Sequence, residues 1–283
     1  MSEGNADKAW RRAAAARERA AAAGAAADRM ELLARQSGSE MFQELAARQR
    51  EARARHLAAA ELQETYARQV DAWSLRRQQD RPRPPFVRGV AAACGASGGA
   101  LVMLDAERRQ LAVTSSDARA AQVQEVEYVL GEGPVGEAAV SGRAVAAAGP
   151  ELAQRWPNYA RGVFGLGVRA AAAVPLACAG TRLGVLAVFD EARLPPEADL
   201  TRIATALTTD VLLGPDGDPL LYGDIDVLDV VHQATGMLLA HGARTPADAL
   251  ALIKARAFRD GTSSADIARQ VVDCGLRLTG EAP

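Results

Sequence analysis

Lysine is almost missing from this chain: Lys8 and Lys254 are the only two among 33 basic residues, the rest being arginine. Aromatic side chains make up only 4% of the 283 residues, so the cores must be assembled from small side chains and long helices. Cysteine is scarce too. Cys94, Cys178 and Cys274 lie far apart, with no CxxC pair and no even-numbered framework, which excludes a disulfide scaffold and leaves three reduced thiols as the expectation. Apolar runs are short: the uncharged stretch from Ala170 to Thr181 falls below the roughly 20 residues that a membrane span needs. The early alanine run is interrupted by Arg11, Arg12, Arg17 and Arg19, which argues against a secretory signal. Together these shortages predict a cytoplasmic protein with no membrane partner.

What is present is unevenly charged. Residues 1–85 carry 16 basic and 12 acidic side chains, residues 86–219 carry 11 and 15, and residues 220–283 carry 6 and 8. No segment has the strongly basic balance of a non-specific nucleic-acid binder.

The chain divides into three parts. Residues 6–79 contain no proline and are dominated by alanine, arginine, glutamate and glutamine, all strong helix formers. Ser37-Gly38-Ser39 offers a break, after which Leu45, Leu57, Leu62, Tyr66, Val70 and Trp73 thinly mark one face of a second helix. The expectation for residues 1–80 is a helical hairpin or dimerising coil, with a solvated arm as the alternative. Arg81-Pro82-Arg83-Pro84-Pro85 ends it. From Phe86 to Leu213 the pattern is mixed. Leu101–Leu104 and Gln110–Thr114 read as strands, and Asp117–Leu130 as a helix with Val123, Val126, Val129 and Leu130 inward. Gly131-Glu132-Gly133-Pro134 breaks that helix, and Arg155-Trp156-Pro157-Asn158 is a second turn before a helix from Tyr159 to Leu166. Val168–Ala177 and Leu183–Phe189 form a hairpin around Ala179-Gly180-Thr181. A closing helix starts at Pro195-Pro196. This is an α+β pattern, with helices flanking an antiparallel sheet.

The run Leu130-Gly-Glu-Gly-Pro134, then Gly142-Arg-Ala-Val145, Arg155-Trp-Pro157, Ala173-Val-Pro-Leu176 and Gly184-Val-Leu186 resembles a GAF domain over about 86–213. The resemblance implies a sensory or dimerisation domain with a six-stranded antiparallel sheet, and a small-molecule or protein ligand whose identity is unknown.

Gly214-Pro215-Asp216-Gly217-Asp218-Pro219 is a second linker, and three helices follow within 220–283. The first runs from Asp224 to Ala240 with Val227, Val230, Val231, Ala234 and Leu238 in one stripe. The second is opened by Thr245 as N-cap with Pro246 and Asp248, and stops at Gly261. The third starts at Ser263, with Asp266 three residues on, and carries Ile267, Val271 and Val272. Gly236 stands inside the first helix, where glycine costs roughly 1 kcal/mol relative to alanine. It marks either a close helix–helix approach or a smooth surface open to a broad partner.

Val231-His-Gln-Ala-Thr-Gly-Met-Leu238, with Asp248-Ala-Leu250, Leu252-Ile-Lys254, Ala257-Phe258 and Asp266-Ile-Ala268, resembles the ANTAR family of three-helix RNA-binding antiterminators. The resemblance implies a dimeric, signal-responsive regulator that engages RNA hairpins. It carries Gln233, Ala234 and Gly236 on the first helix, Ala249, Lys254 and Ala257 on the second and Ala268 on the third as matching positions. On that reading the small residues let RNA approach, while Gln233, Lys254 and Arg256 contact phosphate and base edges. Thr235 departs from the family pattern, which has lysine there; losing that cation weakens a phosphate contact in a module already at a net −2.

Catalytic chemistry is not legible. There is no Walker GxxxxGK[ST] sequence, and Gly95, Gly98 and Gly99 lack the context of a dinucleotide fold. His56, His232 and His241 all lie outside the sensory segment, so neither metal nor haem is expected there. The expectation is a non-enzymatic regulator of RNA. Its rivals are a protein-interaction scaffold that never touches RNA and, more remotely, a small-molecule enzyme on the GAF-like fold.

Overall fold

The computed structural model describes residues 5–75, 83–214 and 226–278. The arm is a helical hairpin of α1 (Asn5–Ser37) and α2 (Glu40–Leu75), turning at Gly38 with φ of 67°. Alanine makes the interface. Ala9, Ala13, Ala16, Ala20, Ala23 and Ala27 are buried at three- and four-residue spacing along α1, with Ala34 two turns further on the same face, so the two backbones approach closely. Arg17 Nε donates to Glu64 Oε1 at 2.5 Å and Trp10 Nε1 to Asp71 Oδ2 at 2.9 Å, holding the open end. Of the residues expected to mark α2, Leu62, Tyr66 and Val70 are buried, whereas Leu57 is largely exposed.

The central domain begins with α3 (Phe86–Ala93), then β1 (Gly98–Leu104), β2 (Gln110–Ser115), α4 (Ala118–Leu130), α5 (Pro134–Ser141), β3 (Val145–Ala148), α6 (Pro150–Arg155) and α7 (Pro157–Phe164). The hairpin β4 (Ala170–Cys178) and β5 (Thr181–Asp190) follows, then α8 (Glu197–Ala206), which runs into a π-helical turn at Leu207–Leu212. All strands pair antiparallel in the order β2-β1-β5-β4-β3. The described residues form five strands, not the six that the resemblance implies.

Both faces of this sheet are covered, and the period of two along each strand assigns residues to them. Leu101, Val174, Leu176, Leu186 and Val188 face α3, α8 and the arm, where Tyr66 and Phe86 meet edge to face at 5.3 Å. Gly89 of α3 lies on the α2 backbone, an ideal Cβ there standing 3.2 Å from Tyr66 Cα. The π-helical turn is clamped to the arm as well: Asp210 receives Arg55 Nε at 3.0 Å and faces His56 Nδ1 at 2.8 Å. On the opposite face Val102, Ala171, Ala173, Val185, Ala187 and Phe189 pack under α4, α5, α6 and α7.

The C-terminal bundle is α9 (Asp226–Ala240), α10 (Pro246–Asp260) and α11 (Ser264–Cys274). Its punctuation at Thr245, Gly261 and Ser263 is as the sequence predicts. Thr245 Oγ1 accepts from Asp248 N and Ser263 Oγ from Asp266 N, both at 3.1 Å, while Gly261 and Gly275 end the second and third helices in the left-handed region. Val231, Ala234, Leu238, Ala249, Ile253, Ala257, Ile267, Ala268 and Val271 form its core. Within the two expected linkers, Arg81, Pro82 and 215–219 lie outside the described residues, as does the expected helix start at Asp224. No helix among the described residues is long and apolar enough to cross a membrane.

Candidate functional site

Helix α4, beside strand β2, touches both the interior of the central domain and the bundle. Asp117 starts it, its carboxylate accepting from Ala120 N at 2.9 Å, and left-handed Gly131 ends it with its N–H on Glu127 O at 2.8 Å. Its inward face departs from the sequence expectation. Ala120, Val123, Gln124 and Glu127 are buried, while Val126, Val129 and Leu130 are only half-buried. Val123 points inward as expected, but Gln124 and Glu127 share the core with it, while Val126, Val129 and Leu130 line a cleft with residues of α7 and α10.

Glu127 caps a neighbouring helix. Its Oε1 accepts from Gly136 N at 2.7 Å, at the first turn of α5. Gly133 makes room for it: an ideal Cβ there would stand 2.5 Å from Glu127 Cδ. Burial pushes the Glu127 carboxyl up to about 7, against the pull of the Gly136 and Val135 N–H groups. Its Oε2 and the Tyr159 hydroxyl have no hydrogen-bond partner among the described residues. Burial, and then Glu127, raise that phenol well above its ordinary range.

The motif residues around it fix the surrounding helices. Glu132 accepts from Asn158 N and Nδ2 at 2.7 and 2.8 Å, capping α7. Glu137 of α5 accepts from Trp156 Nε1 at 2.9 Å and pairs with Arg155, whose guanidinium also stacks on the Trp156 ring. These hydrogen bonds tie α5, α6 and α7 into one unit over the sheet.

The outward face of α4 holds the bundle. Lys254 Nζ donates to Tyr128 O at 2.5 Å and lies 3.8 Å from the centre of the Tyr128 ring. Burial lowers this ammonium's pKa, with Glu125 opposing, and burial pushes the Tyr128 phenol up to about 12. Glu125 Oε1 accepts from Ser264 N at 2.6 Å, a carboxylate from the central domain at the N-terminus of α11. Clefts of about 950 and 420 Å³ flank this contact.

Against this geometry the residues expected to meet RNA separate into groups. Ala234, Ala249, Ala257 and Ala268 lie together inside the bundle, each 0–1% exposed, so in this arrangement their small size serves helix packing. Lys254 is turned onto Tyr128. Arg256 pairs with Asp260 on its own helix. Thr235 Oγ1 donates back to Val231 O at 2.7 Å. Gln233 and Gly236 face outward, and an ideal Cβ at Gly236 meets nothing within 4 Å, so no helix among the described residues approaches closely there. Glu125, Glu127 and Tyr128 were not expected; the only hint was their place inside the valine-marked helical period of Asp117–Leu130.

Residues 84–211 match the GAF domain family, so this part of the chain is a GAF domain. That places the protein among signal-responsive regulatory proteins. Among solved structures, a crystallised domain assigned to a two-component sensor histidine kinase protein of Sinorhizobium meliloti 1021 is similar at 14% identity. The likeness covers 52% of this chain and 87% of that one, with a TM-score of 0.34. No curated protein matches the chain.

Proposed function

We propose that this chain is a cytoplasmic, non-enzymatic regulator whose GAF domain gates a C-terminal, ANTAR-like RNA-binding module, acting as a homodimer on RNA hairpins in transcription antitermination and using neither metal nor haem. The observation that carries this reading is the position of Lys254. It is the one lysine of the module, and the sensory helix α4 holds it by its backbone carbonyl and its Tyr128 ring. A cation suited to phosphate is thus withheld by the very element that reads the sensory interior, the arrangement expected of a gated output. Gln233 and Gly236 stay outward on α9, where a hairpin loop can approach the backbone.

Binding of the full chain to a tandem-hairpin RNA, at two salt concentrations, tests this. Saturable binding that Gly236→Glu weakens about tenfold or more, by steric bulk and like charge against phosphate, is the expected result. The scaffold reading is favoured by the burial of Ala234, Ala249, Ala257 and Ala268 and by the module's excess of acid. Binding no stronger than to a scrambled RNA, with the variant indistinguishable from wild type, would move the assignment there.

A further inference from the structure

The larger of the two interdomain clefts, about 950 Å³, is floored by β2 and α4 and walled by the turn between α10 and α11 and the first turn of α11. Its size is that of a small-molecule site, and domain boundaries are where such sites often form. An unmade hydrogen bond marks it. Gln124 lines it and is 3% exposed, yet its Oε1 finds no partner among the described residues. Buried polar atoms left without partners are costly, and a ligand that donates to them removes the cost.

The charge of the lining selects the ligand. Asp117, Glu125 and Asp266 face the cleft against Arg269 alone, whose Nη1 is already paired with Asp266 Oδ1 at 2.5 Å. Val113 and Leu166 supply apolar surface beside them. An anion meets surplus negative charge here, and a donor-bearing cation meets the unsatisfied Gln124 oxygen beside three carboxylates.

We propose that this cleft binds a small organic cation, an amine or amidine on a flat apolar body, held between the GAF domain and the bundle. The site needs only the packing of the two domains and stands whether or not the bundle binds RNA. Because both walls contribute, occupancy favours the docked arrangement.

Titration calorimetry of the full chain with benzamidine and phenethylamine, and with benzoate and ATP as anionic counterparts, tests the proposal. Both cations bind saturably and the anions do not. Gln124→Met weakens the cations about tenfold by removing one charge-assisted hydrogen bond. Ala121→Trp abolishes binding by planting an indole in the cleft from an exposed position of α4. Arg269→Ala tightens binding several-fold by deleting the only cation of the lining. Absence of binding at millimolar benzamidine and phenethylamine overturns the site. Affinity unmoved by Ala121→Trp, with the fold intact by circular dichroism, overturns it equally, and benzoate binding as well as benzamidine overturns the charge assignment.

Discussion

Gly133 and Glu127 show how one missing side chain creates a titrating group in the interior. Without a Cβ at 133 the carboxyl of Glu127 reaches the first turn of α5, where burial raises it to about 7 from an ordinary 4.5. Between these two values the folded protein holds a proton that the unfolded chain has already lost. This group's stabilisation is therefore greatest below about pH 4.5, falls as the pH rises, and is gone above about 7. The full swing is on the order of 3 kcal/mol. Glu127→Gln keeps an oxygen for the Gly136 N–H and removes the titration. The variant is expected to melt higher than wild type at pH 8 and to lose the decline between pH 5 and 7, read by thermal unfolding across that range. Identical pH profiles would show that Glu127 stays ionised. None of this was legible beforehand, since a helical-wheel reading of Asp117–Leu130 sends glutamate outward and valine inward. The cap at α5 that reverses it depends on a contact nine residues away.

At the scale of elements, legibility followed local chemistry. The bundle's ends could be read because Thr245, Ser263 and Gly261 each satisfy orphan backbone groups from within a few residues. The long strands β1, β4 and β5 could be read from apolar runs between turn residues. Helix α5 and strand β3 could not. Gly133-Pro134 reads as a breaker, though proline at the first helical position starts a helix there. Val145–Ala148 has little strand propensity and is held by its partners Ala170–Ala173. The arm shows a related limit: an alanine seam carries no heptad signal, yet it packs as a hairpin. Its turn end leaves Leu32 55% and Met41 59% exposed, apolar surface suited to a second copy. Light scattering of the full chain should give twice the 29.7 kDa mass, shifting toward monomer in Leu32→Gln/Met41→Gln. A monomer at every concentration would remove the homodimer from the proposed function.

Across the whole molecule, α4 and strand β2 join the bundle to the GAF domain, while α2 joins the arm to it through α3 and α8. The inner face of α4 carries Glu127 against α5, and its outer face carries Glu125 and Tyr128 against the bundle. On the proposed function, a change in the GAF interior that shifts α4 acts on both of its bundle contacts at once. The residues expected from sequence to meet RNA lie in the bundle, and one of them, Lys254, sits at the junction with α4. Single-sequence patterns define each module and carry no signal for how two modules dock. The most direct measurement compares RNA affinity of the wild type with that of Glu125→Ala/Tyr128→Ala, which removes the cap on α11 and the ring over Lys254. Loosening Lys254, which then keeps only the residue-128 carbonyl, and the bundle should strengthen tandem-hairpin binding about five- to thirtyfold, the equivalent of about 1–2 kcal/mol of docking. Affinity unchanged or weakened in this variant, with the bundle still folded, would contradict the claim that the GAF domain holds the output module in check.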